Sequence, residues 1–196
     1  KFSPCGKYII VATELLSAYI YDFKSGKKVF PDLVHNGRVV YGEISNNGKY
    51  AVTASSGKVR VWDLAGWNGE SKVRISSLIS HNAFIEKAIF SPDSRKVASF
   101  SRDSIIKILD VNTGAQLGKD MKHNGFVINV AFSEDSRKLV SVSRDSTAIV
   151  WDIFTGKQIL PPLRHNGYTG DAEFFADDKY LAVACWDRNI SIWDLS

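Results

Sequence analysis

His123, Ser143 and Asp145 are the residue types from which a hydrolase assembles its general base, nucleophile and orienting carboxylate. That chemistry needs an exposed serine beside oxyanion donors, whereas Ser143 falls in the run VSVSRDS, whose alternation predicts the middle of a strand. The set also recurs as His81, Ser101 and Asp103, and again as His165, Cys185 and Asp187. An active site is rarely present in tandem copies, while a structural device must be. No catalytic residue is therefore expected.

Other chemistries find less support. The four histidines are spread one per repeat, without close metal-ligand spacing. No Gly-rich phosphate loop occurs, so neither metal nor cofactor is expected. The 23% charged residues and the absence of low-complexity tracts argue for a folded chain with a sizeable core. No run of roughly 18 apolar residues offers a membrane span. Cys5 and Cys185 are too few for a disulfide framework, which predicts a reducing, cytoplasmic setting. The start KFSPCGKYII has neither an initiator methionine nor a secretory pattern, so residue 1 is expected to lie inside a longer polypeptide.

The elements that position these residues follow from the repeat. His35, His81, His123 and His165 are separated by 46, 42 and 42 residues. Tyr21-Asp22, Trp62-Asp63, Leu109-Asp110, Trp151-Asp152 and Trp193-Asp194 recur at 41, 47, 42 and 42. One insertion after Asp63, LAGWNGESKVRI, explains the long interval in both series. Within a repeat, VINVAFS, KLVSVS and TAIVWDI read as strands, and EDSR, SRDS and FTGK as the turns between them. KQILPPL supplies a fourth strand whose prolines suit a sheet edge. The expected fold is all-β: four-stranded antiparallel blades at about 1–34, 35–80, 81–122, 123–164 and 165–196, three complete and two partial.

At these positions the chain resembles the WD-repeat family over essentially its whole length, with linkers such as LPPLRHNG similar to those of long bacterial members. The resemblance implies a β-propeller, here an incomplete ring, because such rings close at roughly seven or eight blades. Two ways to complete it remain open: a longer parent chain, or self-association through the open blade edges. The resemblance also implies that His, Ser, Asp and Trp form a buried hydrogen-bond chain: His81, Ser101 and Asp103; His123, Ser143, Asp145 and Trp151; His165, Asp187 and Trp193. Leu15 stands at the Asp position of the first blade, a deletion near Ser56 removes it from the second, and Leu109 replaces Trp in the third.

Function follows from the faces. The resemblance places the histidine loops and the Ser-Arg-Asp turns on a top face that commonly contacts partners. There the sequence collects Arg38, Phe84, Glu86, Arg102, Phe126, Ile128, Arg144, Tyr168 and Trp186, rich in the aromatics and arginines of interface hot spots. A scaffold for protein or peptide partners is the expected function. Two alternatives stand beside it: a sensor segment of a larger signalling enzyme, and a nucleic-acid surface on the opposite face. Lys49, Arg95, Lys96, Arg137, Lys138 and Lys179 favour the latter, but Asp93, Glu134, Asp135, Asp177 and Asp178 are interleaved with them. Trp67 in the insertion is either a contact or a fold-back onto its own blade.

Overall fold

The computed structural model describes residues 1–67, 69 and 74–196. Among these there is no helix, hence none long and apolar enough to cross a membrane. The strands form five antiparallel sheets. The first holds β1 (Tyr8–Ala12), β2 (Ser17–Asp22) and β3 (Leu33–Val34), with Phe2 bridging to Ile9. The second holds β4 (Val39–Ile44), β5 (Tyr50–Ser55), β6 (Lys58–Asp63) and β7 (Arg74–Ser80). The third holds β8 (Ile85–Phe90), β9 (Lys96–Ser101), β10 (Ile105–Asp110) and β11 (Gln116–Lys122). The fourth holds β12 (Val127–Phe132), β13 (Lys138–Ser143) and β14 (Thr147–Asp152), edged by β15 (Lys157–Gln158) and β16 (Leu163–Arg164). The fifth holds β17 (Thr169–Phe175), β18 (Tyr180–Cys185) and β19 (Ile190–Asp194). Each sheet is a blade of an incomplete propeller, as the repeat predicts.

The prolines account for one detail. The outer strand KQILPPL is broken into two short pairings with β14, because Pro161 and Pro162 have no N–H to give the ladder.

The core lies between blades rather than within them. Four apolar clusters fill the four junctions, among them Ile10, Leu33 and Trp62 between the first two blades and Val140, Val150 and Leu181 between the last two. Strand β13 shows the consequence: five of its six residues are buried, because neighbours cover both faces. The equivalent β18 of the fifth blade alternates between buried and partly exposed.

Polar bonds tie the blades at the end opposite the histidine loops. The amide of Asn47 donates to Ser94 Oγ and that of Asp93 to Ser136 Oγ, both at 3.2 Å. At the next junction the acceptor is Asp178, which takes the amides of Glu134 and Asp135 at 2.9 and 3.2 Å. Ser94, Ser136 and Asp178 all have φ near +60°, the left-handed conformation that turns each side chain toward the preceding blade.

Candidate binding face and the hydrogen-bond chain beneath it

The fourth blade has the full chain of bonds. The Trp151 indole N–H donates to Ser141 Oγ at 2.7 Å, and that hydroxyl meets His123 Nε2 at 2.6 Å. His123 Nδ1 faces Asp145 Oδ2 at 3.0 Å. The polarity follows: the indole N–H occupies the serine oxygen, so the serine proton goes to Nε2 and Nδ1–H points at the carboxylate. Asp145 also accepts from the Asn124 and Thr147 amides and the Thr147 hydroxyl. Burial alone would raise its carboxyl, but these donors and His123 outweigh that and hold it below its ordinary range. Burial pushes His123 down against the opposing pull of Asp145.

The participating serines differ from those the sequence singles out. Ser143 Oγ accepts from the Asp145 amide at 3.1 Å, and Ser101 Oγ from the Asp103 amide at 3.3 Å; each braces its turn rather than meeting its histidine. The partners lie two residues earlier, at Ser141 and Ser99, with Thr53 in the second blade. Residues two apart in a strand share a face, so alternation cannot separate them. Register does: Trp151 lies opposite Leu139, within reach of position 141 but too far along the strand for 143. A spacing of eighteen residues after His35, His81 and His123 is the signal that would have found all three.

Ser141, His123 and Asp145 have the connectivity of a hydrolase triad, but Ser141 is 0% exposed and already accepts the indole proton. No substrate carbonyl can reach it. The arrangement can fasten a loop to a sheet and do little else.

The other blades depart from this set in different ways. In the second, His35 Nε2 meets Thr53 Oγ1 at 2.6 Å and Trp62 donates to the same oxygen. The missing Asp coincides with a shorter turn: only Ser56 and Gly57 separate β5 from β6, both at positive φ, as a two-residue hairpin requires. Burial, with Arg60 nearby and no carboxylate to oppose it, lowers His35 to about 4. In the third, His81 meets Ser99 at 2.8 Å, but Asp103 stands 3.7 Å from Nδ1, which has no hydrogen-bond partner. In the fifth, Val183 occupies the serine position, and both His165 Nε2 and Trp193 Nε1 are buried without one. Asp187 there accepts the Asn189 amide.

Above this chain, the histidine loop and the following hairpin turn are joined by one recurring backbone bond. Arg102 N donates to Phe84 O, Arg144 N to Phe126 O and Trp186 N to Tyr168 O. Each bond sets two of the expected face residues side by side.

The structure then divides them. Glu86, Arg102, Phe126, Ile128 and Arg144, with Val127, line one cavity of about 470 Å³ between the third and fourth blades. Phe84 stands beside it under the Arg102 guanidinium, 5.3 Å from the ring centroid. Two smaller clefts, beside His123 and beside His35, hold about 100 and 110 Å³. Tyr168 and Trp186 form a separate exposed pair on the fifth blade, with Trp186 over Gly170. Arg38 lies apart on the second blade, paired with Glu14 at 2.6 Å.

Trp67 folds back, its ring 5.2 Å from that of Phe30 and packed on the cluster between the first two blades. Asn68 and Glu70 of the same insertion lie outside the described residues.

Comparison with known proteins matches the model of the family described as "WD domain, G-beta repeat" at residues 33–63, 72–110, 115–152 and 163–194. The chain is also 31% identical over 125 residues to the pre-rRNA-processing protein crb3/ipi3 of Schizosaccharomyces pombe. That similarity covers 57% of this chain and 28% of the relative, so the chain spans well under a third of the relative it matches.

Proposed function

On the premise that the chain belongs to the WD-repeat family, whose model matches it four times, we propose that it is a non-catalytic scaffold binding protein or peptide partners through its top face. The observation that carries this reading is the convergence of two arginines, an exposed aromatic and apolar walls on one cavity, above a hydrogen-bond chain with no exposed nucleophile. Free Cys5 and Cys185 support a reducing, cytoplasmic setting. Photo-cross-linking tests the proposal. A cross-linking amino acid at position 126, 168 or 186 is expected to capture a partner polypeptide, and one at 95 or 137 is not. Adducts formed only from 95 and 137 would sink it.

The similarity to a pre-rRNA-processing protein favours a second reading, in which the partners belong to an assembly that works on RNA. The chain would then touch the assembly's proteins rather than its RNA, because Asp93, Asp135 and Asp178, each accepting backbone amides, are interleaved with the lysines and arginines of the opposite face. Cross-links that survive ribonuclease treatment are expected; their loss would point to RNA-bridged contact instead.

A further inference from the structure

We propose that the cavity between the third and fourth blades takes the side-chain carboxylate of an acidic residue, presented by a partner peptide beside an apolar residue. The proposal rests on the scaffold reading and narrows it to one chemistry.

The two arginines are not equivalent. Arg102 Nε is held by Glu86 at 2.5 Å, so its charge is already met. Arg144 has no carboxylate partner among the described residues and lies 5.9 Å from the centroid of Phe126, itself 48% exposed. With two guanidinium groups and one carboxylate, the lining carries a single net positive charge. A monoanionic carboxylate balances it and pairs with Arg144 in the two-pronged geometry a guanidinium favours. A dianionic phosphate would bring a second charge toward Glu86. Val127, Ile128 and the Phe126 ring supply apolar walls, which a purely ionic ligand would leave unused. The volume falls within the range of about 300–1,000 Å³ typical of ligand pockets, whereas the clefts beside His35 and His123 are far smaller.

The test is a titration followed by the methyl signals of Val127 and Ile128 in the whole polypeptide. The probes are acetyl-Gly-Leu-Glu-Gly-amide, its Gln counterpart and its phosphoserine counterpart. The Glu peptide is expected to shift both signals and to bind at least tenfold more tightly than the Gln peptide. Arg144→Gln removes that difference. Glu86→Gln, which frees Arg102, strengthens the Glu peptide severalfold and admits the phosphoserine peptide. Equal binding of Glu and Gln peptides, preference for phosphoserine with Glu86 intact, or no shift at these methyls would each overturn the proposal. Both substituted side chains are exposed, and an unchanged thermal midpoint confirms that each variant is folded. Cross-linking from Tyr168 or Trp186, outside the cavity, separates the two levels. If it persists while the methyls stay silent, only the cavity assignment fails; if both are lost, the scaffold reading fails with it.

Discussion

Val183 and Ser141 occupy equivalent positions, and exchanging their chemistry tests what the buried bonds contribute. Val183→Ser gives His165 Nε2 and Trp193 Nε1 the hydroxyl they lack. Two orphaned groups at about 1–3 kcal/mol each, set against lost methyl burial of roughly 1.6 kcal/mol, predict a net gain of roughly 0.5–4 kcal/mol in urea unfolding. Ser141→Val does the reverse in the fourth blade, orphaning His123 Nε2 and Trp151 Nε1 together, and is expected to cost about 2–3 kcal/mol. Ser143→Ala, which removes only a turn brace, costs less; equal losses at 141 and 143 would contradict the register. The histidines also predict a pH response. His35 titrates near 6.5 when unfolded and at about 4 when folded. Between those values the unfolded chain binds more protons, so this contribution is intact above pH 6.5 and is lost as pH falls to about 4. The loss is at most about 3 kcal/mol, and His35→Gln should flatten that region of a urea-midpoint profile. A slope unchanged by the substitution would assign the response to other groups.

Turns and strand edges set how blades meet. Ser136 and Ser146 share a left-handed φ, 59° and 66°, but of their two side chains only that of Ser136 bonds across a junction, accepting the amide of Asp93. Ser146→Gly relieves the backbone and is expected to stabilise by about 1 kcal/mol. Ser136→Gly gains the same relief and loses an inter-blade bond worth roughly that much, so its unfolding midpoint should barely move. Two equal gains would show that the bond contributes nothing. A tighter contact joins the third and fourth blades, where a Cβ on Gly156 would fall 2.6 Å from Lys119 N. Gly156→Ala forces the two backbones apart and is expected to lower the midpoint more than any surface change nearby. These inter-blade contacts were not legible in the sequence, whereas the strands were. Period-two runs and turn residues mark β12, β13 and β14 plainly, but nothing local says that Ser94, Ser136 and Asp178 reach into the blade before them. The same limit explains the misplaced serines, since positions 141 and 143 face the same way and only pairing across the sheet separates them.

At the scale of the whole array, each blade is stabilised by the one that follows. Ala148 and Val150 of the fourth blade are 0% and 2% exposed, while their counterparts Ile190 and Ile192 in the fifth are 72% and 58% exposed. Stability should therefore divide by junction, as in other repeat arrays, and the junctions are not alike. The fifth position of the second strand is Ala54, Phe100, Val142 and Ala184 in successive blades. Where it is Ala54 or Val142, the first strands of neighbouring blades lie side by side, β4 on β8 and β12 on β17. Where it is Phe100, 1% exposed and packed in the same cluster as Val127, β12 packs more sparsely on both β8 and β9 than its counterparts do at those junctions, and the cavity opens above. If that ring is the wedge, a smaller residue should let the blades close. The sequence showed five of the six lining residues on one face, but not the gap between them, because the gap is a matter of how two blades pack and not of any one strand. Phe100→Val gives this junction the residue found at the next one. Losing most of the ring should cost about 2–3 kcal/mol, less than the 3–5 kcal/mol of a full Phe→Ala truncation, because the blades can close over the space. The closed junction should also silence the Ile128 methyl response to the Glu peptide. A loss of stability with that response intact would mean that the Lys87–Asn129 bond between the first strands, 3.0 Å long, sets the spacing instead.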